Sequence, residues 1–271
     1  MSKTKPNHTG IDDLTPRDPH YRKASGLGVL FGLIYHIWFF VVMGLSIALT
    51  SPFLWWHSRR DEDYPKFYTW AQRWARLILL GMGMIHRVKR PEDLDWSKPY
   101  MVVANHSSEM DIMASFSLIQ SPIVFIGKAE LAKLPLFGFF FKRSSIVVDR
   151  RSLRSRRQAM IKSAETLQRG QGMCIYPEGG IPPDPTVLLG RFKLGAFQLA
   201  IEHGVDILPV TYANNRKHFP YIMNGGYPGV LKGTIHEPMS TKGMTAKDAQ
   251  ALADRVHDLI LQELKRYRNI S

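Results

Sequence analysis

From about residue 87 to the C-terminus, short apolar runs alternate with segments whose apolar residues recur at helical spacing. Runs near 100–104, 122–127, 145–148, 172–176, 206–212 and 230–236 have the length and apolar continuity of buried strands. Segments near 110–119, 151–169, 191–203 and 245–267 read as helices. Strand–helix alternation of this kind predicts an α/β fold, with a mixed, largely parallel sheet flanked by helices. The last helix is the clearest. Thr245-x-x-Asp248 resembles a capping box with Asp for the usual Glu, and Leu252, Val256, Leu259, Ile260 and Leu264 form the stripe behind it.

The first 86 residues have a different texture. Residues 1–25 are polar, carry Pro6, Pro16 and Pro19, and read as a flexible lead-in. Leu27 to Trp56 then runs thirty residues without an Asp, Glu, Lys or Arg. One helix of that length reaches ~45 Å, against a ~30 Å hydrocarbon core. Such a helix crosses a bilayer tilted, or bends near Gly44 or Pro52 and stays in one leaflet; a buried core helix is the bland alternative. Five of the six tryptophans (Trp38, Trp55, Trp56, Trp70 and Trp74) fall in this stretch of the chain, as at a membrane interface. Phe67, Trp70, Trp74, Leu77 and Ile78 follow at helical spacing, interleaved with Lys66, Arg73 and Arg76. That pattern suits an amphipathic helix lying on the bilayer. The predicted organisation is a lead-in over 1–25, membrane-anchoring helices over 26–86, and an α/β domain over 87–271. Arg22-Lys23 and Arg59-Arg60 flank the apolar run almost equally, so charge gives no vote on topology.

Charge narrows the partners. A formal net charge of +13 points to nucleic acid, an anionic membrane surface or phosphate-bearing ligands. Arg150, Arg151, Arg154, Arg156 and Arg157 form a basic patch at the start of one helix, with Leu153, Met160, Ile161, Ala164 and Leu167 as its apolar side. No nucleic-acid-binding motif accompanies it, so lipid or acyl-carrier phosphates are the more economical partners. The single cysteine, Cys174, excludes an intramolecular disulfide and fits a reducing compartment. No His/Cys cluster has metal-ligand spacing, so no metal is expected.

The candidate chemistry lies at Asn105-His106-Ser107-Ser108-Glu109-Met110-Asp111, between a predicted strand and a predicted helix. Open α/β sheets place their chemistry at such exits. On one regular helix His106 and Asp111 would stand ~140° apart. They meet only if His106 lies in the turn and Asp111 on the helix. The carboxylate then holds one ring nitrogen and leaves the other free to take a proton from a hydroxyl.

The motif N-H-x-S-x-x-D formed by Asn105, His106, Ser108 and Asp111 resembles that of the glycerophospholipid acyltransferase family, in particular its 1-acylglycerol-3-phosphate acyltransferases. Three further blocks follow in order between Tyr100 and Val210. Ser144-Ser145-Ile-Val-Val-Asp149-Arg150 corresponds to G-x-x-x-x-D-R, with serine for glycine. Tyr176-Pro177-Glu178-Gly179 corresponds to F-P-E-G-T-R, with Gly180-Ile181 where threonine and arginine are usual. Val205-Asp-Ile-Leu-Pro209-Val210 corresponds to the fourth. The resemblance implies transfer of a fatty acyl group from acyl-CoA or acyl carrier protein to the free hydroxyl of lysophosphatidate. His106 is then the base, Asp111 orients it, and Arg150 grips the head group. Lys128 is either a second phosphate contact or a surface lysine; Glu178 and Gly179 order the head-group loop, and Lys193 or Arg191 replaces the missing arginine. Cys174, in an apolar strand, reads as structural. No permanent cofactor is implied, and no nucleic-acid partner. The implied location is a bacterial inner membrane, with the catalytic domain on its cytoplasmic face. Ile181 keeps open a lyso-lipid without phosphate, such as a lyso-aminolipid; a catalytically silent membrane-binding homologue is the other alternative.

Overall fold

The apolar runs assemble into one seven-stranded sheet. The computed structural model describes residues 15–270, apart from 20, 22, 150, 223 and 224. Its strands are β1 (Met84–Lys89), β2 (Met101–Ala104), β3 (Ile123–Lys128), β4 (Ser145–Val148), β5 (Gly172–Ile175), β6 (Ile207–Tyr212) and β7 (Gly229–Ile235). They lie in the order β1-β7-β6-β2-β5-β3-β4. Every neighbouring pair is parallel except β6 with β7. β2 sits at the centre and all four of its residues are buried, because a mostly parallel sheet is covered on both faces. The fold class is therefore the one the alternation predicts.

The helices are α1 (Leu27–His57), α2 (Tyr64–Gly81), α3 (Met110–Leu118), α4 (Phe137–Ser144), α5 (Leu153–Gln168), α6 (Gly195–Glu202), α7 (Asn215–His218) and α8 (Ala249–Arg268). Ahead of α8 the capping box forms: Thr245 donates its N–H to Asp248 at 2.7 Å. Leu252, Val256, Ile260 and Leu264 then bury one face of the helix.

Three segments differ from expectation. β1 begins at Met84, so the sheet starts ahead of the expected boundary at residue 87. α4 and α7 are short helices in stretches where the expected pattern places none. Residues 1–14 of the expected lead-in lie outside the described residues, but 15–18 are docked. Leu188 donates its N–H to the Pro16 carbonyl at 2.7 Å, Arg17 pairs with Asp184 at 2.7 Å, and Arg268 pairs with Asp18.

The apolar stripe of α2 is divided: Leu77 is exposed and Trp70 half-buried, while the rest packs on protein. Phe67, Trp74 and Ile78 are buried. Tyr64 and Tyr68 donate their hydroxyls to the carbonyls of Ile123 and Ile119, at 2.8 and 3.0 Å, and Gln72 donates to Ile119 at 2.8 Å. α1 runs as one helix through both Gly44 and Pro52. It is long and apolar enough to cross a membrane, by length and composition. Tyr35, Phe39, Val42 and Leu54 are buried, while Leu30, Ile34, Ile37, Leu45 and Leu49 are exposed. Tyr35 donates its hydroxyl to the Met82 carbonyl at 2.6 Å, and Trp38 its indole N–H to Gly81 at 2.9 Å. A Cβ on Gly81 would come within 2.6 Å of a Val42 methyl, so this crossing requires a residue without one. On α5, Leu153, Met160 and Ile161 are exposed; Ala159, Ser163, Thr166 and Leu167 form the buried face.

Burial of α2 gives a direct test. Ile78→Ala should cost about 2–5 kcal/mol, the usual range for a fully buried isoleucine. Chemical denaturation of the detergent-solubilised protein measures it, and a loss near zero would return the α2 face to the lipid.

Candidate active site

The site is assembled where β2, β5 and β6 end, at the C-terminal edge of the parallel strands. Beyond β2, Asn105 continues the ladder with its side chain. It donates to the Tyr212 carbonyl at 3.0 Å and accepts the Tyr212 N–H at 2.8 Å. This clasp fixes the residue before His106 against the end of β6.

Asp111, in the first turn of α3, is fully buried. Its Oδ2 accepts the backbone N–H groups of Ser107 at 2.6 Å and Ser108 at 2.9 Å, and its Oδ1 accepts from Asn215 Nδ2 at 2.8 Å. His106 Nδ1 lies 3.1 Å from Oδ2. An ionised carboxylate only accepts, so Nδ1 carries the proton of this bond. The lone pair of a neutral ring is then on Nε2. The ring stacks on Tyr176 with centroids 4.1 Å apart, which sets its plane. The geometry needed for His106 and Asp111 to meet, turn then helix, is the one found.

Below the ring lies a buried hydroxyl network. Ser115 Oγ is 2.9 Å from the Tyr176 hydroxyl and 2.7 Å from that of Tyr212, and accepts from Cys174 Sγ at 3.7 Å. Burial holds both phenols well above their ordinary pKa. It pushes the Cys174 thiol up to about 12, so Cys174 stays protonated and is no nucleophile.

Glu178 is the second organiser. Its Oε1 accepts the His106 N–H at 2.7 Å and its Oε2 the Gly190 N–H at 2.7 Å. One carboxyl thus joins the exit of β2 to the far end of the 179–190 loop. Burial raises its pKa, against the pull of the two backbone donors. Arg216, also buried, donates to the carbonyls of Pro185 at 2.5 Å and Val187 at 2.6 Å and ties the same loop to α7. Gly179 has φ +86°, and a Cβ there would lie 2.2 Å from Lys193 Nζ. The Lys193 ammonium therefore rests on the bare face of Gly179, which side-chain-free backbone alone permits.

His106, Asp111, Glu178, Gly179 and Lys193 thus form one cluster. Lys128 stands apart. It ends β3, separated from β2 by β5, and is exposed with its ammonium 3.6 Å from Glu130. Arg150 lies outside the described residues. Asn215, Ser115, Tyr212 and Arg216 are members of the site that sequence reasoning misses. Each reaches it through tertiary packing, with no spacing pattern to announce it.

Residues 85–213 match the family model described as Acyltransferase. The 1-acyl-sn-glycerol-3-phosphate acyltransferase beta of Homo sapiens is 29% identical over 203 residues, covering 74% of this chain and 71% of that protein. The 1-acyl-sn-glycerol-3-phosphate acyltransferase of Haemophilus influenzae is 29% identical over 196 residues, covering 69% and 78%. The crystal structure of the 1-acyl-sn-glycerophosphate (LPA) acyltransferase PlsC from Thermotoga maritima shares the fold, with a TM-score of 0.73 at 22% identity over 88% of this chain and 96% of that one. Over residues 85–213 the chain is thus similar to acyltransferase enzymes. Within the class it resembles the 1-acyl-sn-glycerol-3-phosphate acyltransferases.

Glu178→Gln replaces one acceptor oxygen by an amide that confronts a backbone N–H. An unpaired buried donor should lower stability by about 1–3 kcal/mol. The pH dependence has a definite sign. Because burial raises this carboxyl's folded pKa, the folded state binds more protons, and the group's contribution to stability declines as pH rises from the ordinary value of 4.5 through the raised one. Thermal unfolding across that range should show a shallower slope in the variant than in the wild type, since Glu109, also raised by burial, contributes with the same sign in both.

Proposed function

We propose that this protein moves a fatty acyl group from an acyl thioester to the free hydroxyl of lysophosphatidate, giving phosphatidate. The observation that carries the mechanism is the bond from His106 Nδ1 to the buried Asp111 carboxylate, which leaves Nε2 as the proton acceptor. Nε2 removes the proton of the acceptor hydroxyl as its oxygen attacks the thioester carbonyl. The tetrahedral oxyanion collapses, the C–S bond breaks, and the departing thiolate recovers the proton from the imidazolium. No acyl-enzyme is required, in keeping with the protonated Cys174. Coenzyme A or acyl carrier protein supplies the thioester as a co-substrate, and no permanent cofactor takes part.

Head-group recognition falls to cations. Lys193, whose ammonium lies beside Gly179, takes over the charge that Ile181 cannot provide. Arg150 adds a bidentate donor, with Lys128 as its partner. A dianionic phosphate partly shielded from water has to be matched in this way, because an unpaired charge there costs several kcal/mol. The exposed apolar side of α1 holds the enzyme at the bilayer that contains its acceptor, with the catalytic domain on the cytoplasmic face of a bacterial inner membrane. Ile181 favours one second reading, a phosphate-free lyso-lipid as acceptor.

His106→Ala should abolish turnover with the fold intact, and Asp111→Asn should lower kcat by about 10²–10⁴-fold. Near-normal turnover in a folded His106→Ala variant would sink the mechanism. Lys193→Ala and Arg150→Ala should raise KM for lysophosphatidate and spare a phosphate-free lyso-lipid. Steady-state assays on the two acceptors decide it: equal losses on both would make these cations structural, and robust wild-type turnover of the phosphate-free lipid alone would establish the second reading.

A further inference from the structure

A cavity of about 1000 Å³ opens beside the first turn of α1. The approach to α1, α7, Pro220 with Gly225, Gly226 and Tyr227, β7 and the last turn of α8 all contribute to its wall. Lys23, Arg216, Lys217, Lys232 and Arg268 line it, against the single carboxylate of Asp18. That carboxylate is already paired with Arg268. Arg216 donates from one amino group to two carbonyls and has Glu178, Asp111 and Asp184 as charged neighbours, and the Lys217 ammonium sits 5.9 Å from the centre of the Tyr227 ring. With Arg268 paired to Asp18 and Arg216 set against carboxylates, Lys23, Lys217 and Lys232 remain as the cations of a concave wall that attracts an anionic group.

The remaining wall is apolar. Leu27 and Phe31 of α1 line the cavity and are 85% and 49% exposed. They open the apolar face that Leu30, Ile34 and Ile37 continue down the helix. A ligand matching both halves has a phosphate at one end and an alkyl chain leaving along α1. A soluble phosphate such as coenzyme A would fill the cationic half and leave the apolar half wet.

We propose that this cavity binds the head group of an intact anionic membrane phospholipid whose chains lie along α1, at a site distinct from the acceptor site at His106. The segment between them is shared. Arg216 and Lys217 face the cavity, while Asn215 holds Asp111 and the Phe219 carbonyl accepts from Ser108 Oγ at 2.5 Å. A lipid seated here bears on the segment that braces the catalytic pair, so anionic lipid raises turnover.

The test uses the full chain in a neutral detergent with saturating lysophosphatidate, so that the acceptor site is filled. Short-chain phosphatidylglycerol should raise Tm and kcat, and short-chain phosphatidylcholine should not. Lys217→Gln with Lys232→Gln should weaken phosphatidylglycerol binding by about tenfold or more, the loss of two charge-assisted contacts. Without anionic lipid, kcat and KM should stay at wild-type values. Lys217→Arg with Lys232→Arg should restore binding, which separates lost charge from a damaged fold. Equal binding in the Gln variant, or failure of the Arg variant to restore it, would overturn the proposal. So would coenzyme A displacing phosphatidylglycerol with the same sensitivity to the lysines, which would make this the donor's site. A rise in KM for lysophosphatidate in step with the lost binding would make it the acceptor's. Loss of all turnover in His106→Ala bears only on the mechanism proposed above and leaves this binding test standing.

Discussion

A carboxylate sealed from water at the start of α3 sets the terms for everything around it. Asp111 is fully buried, so its charge has to be met by donors brought to it. The turn after β2 supplies two backbone N–H groups, α7 supplies Asn215, and His106 supplies a ring N–H. The helix N-terminus adds its own favourable field. Four contacts from two places, the turn and α7, are satisfied only when both are in register with α3. The histidine is thus one donor in a set whose other members serve to make its position unavoidable.

Glu178 has the corresponding role at the end of the neighbouring strand. It receives the same residue's backbone N–H and the far end of a loop closed by Arg216. The two buried acids therefore grip His106 by ring and by backbone. Both the orientation of the imidazole and its height above the sheet are fixed before any substrate arrives, which is the condition for effective proton transfer.

Much of the scaffold is legible in the sequence for a simple reason. Strands covered on both faces have to be continuously apolar, so β2, β5 and β6 announce themselves. β1 does not: it is an edge strand whose Ile85 is exposed and whose pattern alternates. The stripe on α2 is legible as apolar, but periodicity cannot say whether protein or lipid lies against it. Tyr64, Tyr68 and Gln72, bonded to carbonyls of the domain, set one side of the helix against protein, and Leu77 and Leu80 stay exposed on the other. In the site, His106 and Asp111 are five residues apart and can be paired by geometry alone. Asn215 and Tyr212 come from about a hundred residues further along and are joined only by tertiary packing.

The two hydrogen bonds from Tyr35 and Trp38 to the end of α2 carry a mechanical consequence. They satisfy carbonyls at a helix terminus, and Gly81 lets the two helices close to contact around them. A helix tethered in this way is a rigid strut, not a flexible leash. The catalytic edge of the sheet is thereby held at a set altitude and tilt relative to whatever α1 is embedded in. In the proposed reaction, reach along the lipid, and hence which carbon of a chain lies opposite His106, is a property of the joint between two helices rather than of any residue in the pocket.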